Sequence, residues 1–359
     1  MPIYMDRHDV AEDVTAEIVA KIHQEDLKIQ HEYGCRGITY WYDDGRKTAF
    51  CLVEAPNKEA ITKMHAKAHG EVPNTIIEVD GSIVESFLGR IEDPEKSQKT
   101  ELNIVNDPAF RTLVVFKLEK INLLSVLPKQ FKSKFREIVA KVITYNGRIV
   151  VQNEDYFLTS FDSTGNALKA AITIRKSFYE LTESALKLHI GISAGVPVTN
   201  KPGLFEETIR TAERLCDISQ ARILITAEVK DLYESENLNI PIDEKDIRAI
   251  SLSDERFLNN LYDYLEREWQ TPTLSVNDFS ANLGYSSSRL YRKMTTIVNK
   301  TTNGFIQDFR LKKAIKLLQR KDKSISEIAF ETGFNSPAYF SKCFQQRYGL
   351  LPSVFLKSL

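Results

Sequence analysis

The last quarter of the chain repeats one local pattern twice, and this repeat constrains the fold more than any other feature of the sequence. Each copy has a serine followed three residues later by an acidic residue, then a glycine, then a second serine. Serine is favoured at helix N-caps, and glycine ends helices where the backbone needs a positive φ. The pattern predicts two helix–turn–helix units, marked by Ser275, Gly284, Ser286, Ser324, Gly333 and Ser336.

The second helix of each predicted unit has its apolar residues at matching positions. Leu290 and Met294 stand four and eight residues after the cap in the first unit, as Phe340 and Phe344 do in the second. In a helix–turn–helix the second helix lies in the DNA major groove, so its outward face meets base edges. The outward residues, predicted to contact double-stranded DNA, are Ser287, Ser288, Tyr291, Arg292, Ala338, Ser341 and Lys342.

Charge favours the same partner. Residues 271–359 hold 14 Lys and Arg against 5 Asp and Glu, a net charge of +9, so the preceding 270 residues carry −10 of the total of −1. A helix predicted from Gly304 to Gln319 joins the two units, and Arg310 and Lys313 on it are expected to contact phosphates. Arg292 is the best candidate for a bidentate contact to guanine. A basic helical bundle that binds another protein is the alternative.

A family resemblance extends this interpretation. Residues 254–359 resemble the AraC/XylS-type DNA-binding domain, above all in the stretch ISEIAFETGFNSPAYFSKCFQQRYGLLPSVF from Ile325 to Phe355. Tyr348, Gly349 and Pro352 close the domain as that family's ending does. The resemblance implies two recognition helices that enter adjacent major-groove segments on one face of the DNA.

Length and composition set the frame for the rest. The chain has 359 residues, 42% hydrophobic and 27% charged, which suits two or three globular domains. No apolar run reaches the length of a membrane span, and four scattered cysteines suit a reduced cytoplasm. We expect a cytoplasmic α+β multidomain protein: two ferredoxin-like α/β domains (1–88 and 108–250) followed by an all-α double helix–turn–helix domain (254–359), with a linker over 89–108.

The first domain contains candidate metal ligands. Its strand and helix patterns follow the order βαββαβ, which is typical of a ferredoxin-like fold. His65 and His69 are four residues apart on the second predicted helix, so both imidazoles can reach one point. An exposed pair of surface histidines is the alternative. His8 follows the first strand and can approach that helix, and Cys51 and Glu54 are further ligand types.

The same domain resembles a small family of nickel-responsive single-domain bacterial proteins. The segments MPIYMDRH, ITYWYDDGRKTAFCLVEAP and HAKAHGEVPNTIIEVD carry the resemblance. It implies a ferredoxin-like fold, a tendency to dimerise, and nickel binding, with His8, His65 and His69 as the matching histidines. Imidazole also suits copper and zinc, so the expected cofactor is nickel or another divalent transition metal.

The middle domain resembles the class III nucleotide cyclase catalytic domain. The segments GRIVVQNEDYFLTSFDSTGNALKAAITI, LKLHIGISAGVPV and TIRTAERLCDISQARILITAEV carry the resemblance, which implies a head-to-tail dimer. Such cyclases need two carboxylates for two metal ions. Asp155 matches one, but Leu118 stands where the other belongs; Arg210 replaces the transition-state asparagine, while Arg214 is kept. We expect a degenerate nucleotide site at Asp155 and Arg214, in a domain used for dimerisation or ligand sensing and not for catalysis.

Together these features predict a homodimeric, sequence-specific DNA-binding transcription regulator that responds to a metal or small-molecule inducer. Two alternatives stay open from the sequence. One is an active nucleotide cyclase fused to a DNA-binding module, and the other is an N-terminal domain that only drives oligomerisation.

Overall fold

The computed structural model describes residues 1–94, 102–120, 123, 129–181, 186–220, 222–237 and 242–359, and their side chains except at 129–135, 180 and 181. Two sheet-containing units and a helical unit follow one another in these residues. Of the predicted linker over 89–108, residues 95–101 lie outside the described residues. No helix in the described ranges is long and apolar enough to cross a membrane.

The first unit has the predicted βαββαβ order. Its four strands form an antiparallel sheet in the order β2-β3-β1-β4, the arrangement of a ferredoxin-like fold. A third helix follows the last strand. The elements are β1 (Ile3–Asp9), α1 (Ala16–Ile29), β2 (Arg36–Asp43), β3 (Thr48–Glu54), α2 (Lys58–Ala68), β4 (Thr75–Val79) and α3 (Gly81–Leu88).

The second unit repeats this topology and extends it. Strands β8, β5, β7 and β6 are neighbours in that order, which is again the ferredoxin-like arrangement, and β9 and β10 add two parallel strands beside β8. The elements are β5 (Arg111–Lys120), α4 (Lys129–Thr144), β6 (Arg148–Gln152), β7 (Tyr156–Phe161), α5 (Thr164–Leu181), β8 (Leu186–Gly195), α6 (Glu206–Ile218), β9 (Ile223–Ile225), α7 (Ala227–Glu236) and β10 (Ile247–Ala249).

The two sheets cover each other inside one chain. Helices α1 and α2 cover one face of the first sheet, and α4 and α5 cover one face of the second, so the remaining faces also need apolar cover. One buried cluster combines the first sheet, α3, the second sheet and α6; its members include Met5, Trp41, Phe50, Leu52, Phe87, Leu113, Val115, Leu158, Ala212 and Cys216. The buried Arg111 guanidinium strengthens the junction by donating to the carbonyl oxygens of Phe87 and Leu88, at 3.3 Å and 3.0 Å.

The third unit is a chain of helices that contains both predicted helix–turn–helix units. The first helix–turn–helix comprises α9 and α10, the long helix α11 follows, and the second helix–turn–helix comprises α12 and α13. The helices are α8 (Leu252–Glu268), α9 (Val276–Leu283), α10 (Ser287–Lys293, continued by a π-helical turn to Val298), α11 (Thr302–Arg320), α12 (Ile325–Glu331), α13 (Pro337–Tyr348) and α14 (Pro352–Ser358).

Helix α6 joins the second unit to the third. Its Ala212 and Cys216 lie in the core between the two sheets, whereas Leu215 and Ile218 pack with Phe257 of α8 and with residues of the first helix–turn–helix. Helix α6 also packs tightly on β8 at Gly191. A side chain there would not fit, since its Cβ would lie 2.1 Å from the carbonyl oxygen of Ala212. One helix therefore touches both the core shared by the sheets and the helical unit.

Candidate nucleic-acid interface and metal cluster

The turns and caps of both helix–turn–helix units are those predicted. Gly284 and Gly333 have φ of +69° and +78°, the left-handed region that glycine adopts most easily. In the second helix–turn–helix the Ser324 amide donates to Glu327 Oε2 at 2.7 Å, and the Glu327 amide donates to Ser324 Oγ at 3.2 Å. This reciprocal pair is a capping box, so the start of α12 is fixed locally.

Both recognition helices have exposed polar faces. Of the predicted base-contacting residues, Ser341 is half-buried and the others are exposed: Ser287, Ser288, Tyr291, Arg292, Ala338 and Lys342. The opposite faces are buried, with Leu290, Met294, Phe340 and Phe344 fully covered. Sequence reasoning missed Tyr339, which is 54% exposed near the start of α13, beside Ala338. Its position three residues after the Ser336 cap was the available signal.

Arg310 corrects one prediction. Its side chain is buried on α11, and its guanidinium donates to the carbonyl oxygens of Trp269 and Thr271 at 2.8 Å and 2.7 Å. It also contacts the Gly333 turn, since a Cβ there would lie 2.9 Å from its Nε. Arg310 thus holds the turn of the second helix–turn–helix against the end of α8 and is not free to contact a phosphate.

The other basic residues of α11 differ in exposure. Lys313 is half-buried, with its Nζ 5.0 Å from the centre of the Phe309 ring, so a phosphate contact there stays a prediction. Lys312 lies 3.4 Å from Asp217 of α6. Lys316 and Arg320 are exposed on the polar side of the helix. The free positive charge of α11 is therefore concentrated at its C-terminal half.

Inside the first unit, α1 and α2 bring three potential metal ligands together. Asp26 Oδ1 lies 3.0 Å from His65 Nδ1 and 3.1 Å from His69 Nε2, and the two nitrogens are 3.2 Å apart. Ligand atoms that share a metal through bonds of about 2.1 Å are separated by roughly 3.0–3.4 Å. The three atoms therefore already have the spacing of one face of a coordination polyhedron.

A second carboxylate supports this triangle from β1. The Asp6 side chain is fully buried, and its Oδ2 lies 3.1 Å from His65 Nε2, so a carboxylate faces the nitrogen that points away from the triangle. A carboxylate on the remote nitrogen of a histidine fixes the ring as a metal ligand. Burial acts to lower the pKa of His65, but the adjacent carboxylates of Asp26 and Asp6 outweigh it and raise the pKa to about 10.

The ligand set differs from the predicted one. His8 lies on the other side of His65, with ring centres 5.0 Å apart, and groups with Asp6 and Cys51. Asp26, which the sequence pattern did not indicate, takes the third place beside His65 and His69. The buried atoms Asp26 Oδ1 and His8 Nε2 make no hydrogen bond of regular geometry within the described ranges. Unsatisfied buried acceptors of this kind suit a bound cation.

Nitrogen and oxygen donors in this arrangement fit a divalent transition ion. His69 is only 8% exposed and Asp26 5%, so the triangle lies just beneath the protein surface. His31, in contrast, is exposed outside the cluster. The residues present therefore fit the nickel or related ion that the sequence resemblance implies.

In the middle unit two positions of the expected nucleotide site are backbone neighbours across β5 and β7, whereas Arg214 is engaged by α8. Leu118 is buried, and its amide donates to the carbonyl oxygen of Asp155 at 2.8 Å, while Asp155 itself is exposed. Arg214 is buried on α6 and binds α8: Asn259 Oδ1 at 2.9 Å, and Asp263. Arg210, one turn earlier, is exposed and pairs with Glu206 at 2.8 Å.

Two family models match separate parts of the chain. Residues 4–79 match the model described as nickel responsive protein SCO4226-like, and residues 279–358 match the model described as a helix-turn-helix domain. The first match covers the sheet and helices that hold the metal cluster. The second covers both recognition helices.

Individual relatives match the same two ends. Over 107 residues the chain is 40% identical to Histidine kinase P4 of Formosa agariphila, covering 30% of this chain and 8% of the kinase. Over 102 residues it is 30% identical to Probable transcription factor PqrA of Proteus vulgaris, covering 28% of this chain and 84% of that protein. The crystal structure of SCO4226 from Streptomyces coelicolor A3(2) is 30% identical, covering 21% of this chain and 94% of that chain, with a TM-score of 0.21.

Proposed function

The chain belongs to the AraC-type helix–turn–helix transcription regulators, and we propose that it binds a specific DNA sequence through α10 and α13. The observation that carries the proposal is the pair of capped, glycine-turned units whose second helices are apolar inside and polar outside. The net charge of +9 over residues 271–359 favours DNA as the partner, because lysine and arginine neutralise phosphates.

The test is selection of bound sequences from random duplex DNA by the full chain, followed by titration of the selected site. Arg292→Ala should weaken binding by about 1–3 kcal/mol and relax the preference at one base pair. Arg267→Ala is the matched control, because Arg267 lies on α8 of the same unit and pairs with Glu268 at 2.8 Å. Failure to enrich any sequence at low salt would contradict the proposal.

We further propose that the first unit is a sensor that binds one divalent transition ion through Asp26, His65 and His69. The mutual spacing of these atoms, the carboxylate of Asp6 behind His65, and the lack of a regular hydrogen bond at Asp26 Oδ1 support the proposal. When bound, the ion supplies positive charge between α1 and α2. The chain's own residues orient the ligands and exclude bulk water from all but the outer side.

Titration calorimetry with nickel on the full chain tests this site. Asp26→Asn and His69→Ala should each lower the affinity at least tenfold, since each removes one of three ligands. His31→Ala should leave it unchanged, because His31 is exposed and lies outside the cluster. Equal heats in all four proteins would leave the first unit as an oligomerisation element.

The middle unit is proposed to connect the sensor to the DNA-binding unit and to lack cyclase activity. Leu118 offers no metal ligand, and Arg214 is engaged by Asn259 and Asp263 of α8. The purified chain with ATP or GTP and manganese should therefore release no cyclic nucleotide above background. Turnover that disappears in Asp155→Ala would instead favour an active cyclase.

We also propose that the chain acts as a homodimer. The apolar face of the first sheet is covered by the second sheet of the same chain, so self-association has to use other surfaces. Light scattering of the purified chain measures this directly, and a monomer at all concentrations would contradict it.

A further inference from the structure

A second cluster of metal-ligand side chains lies in the first unit, next to the triangle of Asp26, His65 and His69. Asp6 and Cys51 are direct partners in the antiparallel pairing of β1 with β3. His8 follows Asp6 by two residues, and residues two apart on a strand point to the same face. One carboxylate, one imidazole and one thiol therefore meet between the sheet and its helices, with their ligand atoms within 4.8 Å of one another.

We propose that Asp6, His8 and Cys51 form a second metal site that takes a thiophilic divalent ion, such as zinc or cobalt. Three protein ligands are the number found where a zinc ion keeps an open fourth position. A sulfur ligand beside an imidazole selects zinc, cobalt or nickel over magnesium and calcium, which prefer oxygen alone. This inference goes beyond the proposed nickel triangle but rests on the same unit serving as a metal sensor.

Two features of the cluster favour a bound ion. His8 Nε2 lies 3.3 Å from Asp6 Oδ1 and makes no regular hydrogen bond within the described ranges. Its side chain is 11% exposed, so the nitrogen has little access to water in which to find another partner. Metal–ligand bonds of about 2.0–2.3 Å place such ligand atoms roughly 3.3–3.6 Å apart. The ligand atoms of Asp6, His8 and Cys51 lie within 4.8 Å of one another, so small side-chain rotations would bring them to that spacing.

Asp6 connects the second site to the first. One of its oxygens faces His8 and accepts the Cys51 amide at 3.0 Å, and the other faces His65 at 3.1 Å. An ion at the second site would hold the Asp6 carboxylate in place and so fix the ring of His65, which is a ligand of the first site. The two ions are therefore expected to bind with different affinities and to affect each other.

Cobalt titration of the full chain under reducing conditions tests the second site, because a cobalt–thiolate bond gives a charge-transfer absorption band in the near ultraviolet. We expect two equivalents of cobalt and this band. Cys51→Ser should abolish the band and remove one equivalent. His8→Gln, a second variant for the case that Cys51→Ser does not fold, should also remove one equivalent. Cys35→Ser, at another buried cysteine of the same unit, should change neither quantity.

The outcomes separate this inference from the proposed triangle. Asp26→Asn should remove the other equivalent and leave the thiolate band. One equivalent without a band, lost in Asp26→Asn, would overturn the second site and leave the triangle standing. A band that persists in Cys51→Ser would also overturn it. No bound cobalt at all would overturn both sites.

Discussion

At the scale of single residues, Arg310 and Lys316 show how two basic side chains of one helix differ. Arg310 is buried and its guanidinium donates to two backbone carbonyls, whereas Lys316 is exposed. Arg310→Ala should lower the free energy of unfolding by roughly 2–4 kcal/mol, because it leaves two buried carbonyl oxygens without a donor. Lys316→Ala should leave the melting temperature unchanged but reduce the salt slope of DNA binding by about one.

A melting experiment and a salt titration on both variants check this pair. If Arg310→Ala melts like the wild type and only DNA affinity changes, Arg310 contacts phosphate after all. The sequence pattern could not distinguish the two residues. Both are basic residues on a helix with an apolar stripe, and only the position of the α8 end relative to α11 makes one of them structural.

The metal cluster shows the same limit of sequence reasoning. His65 and His69 were predictable, because their spacing of four is a property of the helix itself. Asp26 was not, since its place beside them depends on how α1 packs against α2. The place of Asp6 was indicated by the sequence, because Asp6 shares one face of β1 with Tyr4 and His8. A carboxylate buried on that face needs a partner.

At the scale of elements, the two turn glycines make a testable contrast. Both have positive φ, so alanine at either position is strained by about 1–2 kcal/mol. A Cβ at Gly284 meets nothing within 4 Å, but one at Gly333 would lie 2.8 Å from the carbonyl oxygen of Trp269. Gly333→Ala should therefore lower the melting temperature more than Gly284→Ala. Equal losses measured by thermal unfolding would mean that the second turn can move away from α8.

The helices of the third unit were predictable from sequence because their start and stop signals are local. Serine caps, the capping box and the two glycines act within four residues of where they stand. The stacking of the two sheets was not predictable in this way. The continuous apolar run of β3 indicates that both of its faces are covered, but not which part of the chain covers the second face.

At the scale of the whole molecule, Glu119 at the end of β5 joins the middle unit to the DNA-binding unit. It contacts Arg347 of α13 and lies 3.1 Å from His189 Nε2. The hydrogen bond to His189 and the charge of Arg347 lower the pKa of Glu119 to about 2. A carboxylate with a lowered folded-state pKa stabilises the protein above its unfolded pKa of about 4.3, and that contribution disappears as the pH falls through the folded value.

Glu119→Gln should therefore melt below the wild type at neutral pH. The difference should shrink between about pH 4.3 and about pH 2, where the wild-type carboxylate becomes protonated. Glu12→Gln, at an exposed position of the first unit, serves as the control and should follow the wild type at every pH. A constant difference down to the acid limit would show that Glu119 acts through packing and not through its charge.

Coupling between the metal cluster and DNA can pass through the contacts between units, and α6 is one element that touches both the core shared by the sheets and the helical unit. Arg214 on its outer face binds Asn259 and Asp263 of α8, and Arg210 one turn earlier lies 3.5 Å from Glu266 of the same helix. Arg214→Met keeps the length and apolar stem of the side chain but removes its charge. It should leave metal binding and DNA binding in place while reducing the change in DNA affinity that nickel produces.

The measurement is DNA affinity of the full chain with and without nickel, for the wild type, Arg214→Met and the control Arg222→Met. The Arg222 variant should keep the wild-type response, because Arg222 is exposed and its side chain contacts the carbonyl oxygen of Glu244 within the middle unit. An allosteric effect is a coupling free energy of typically 1–3 kcal/mol. Removing a contact that carries it should therefore lower the ratio of the DNA affinities with and without nickel by several-fold. A full response in Arg214→Met would show that the contacts of Arg214 with α8 do not carry the signal.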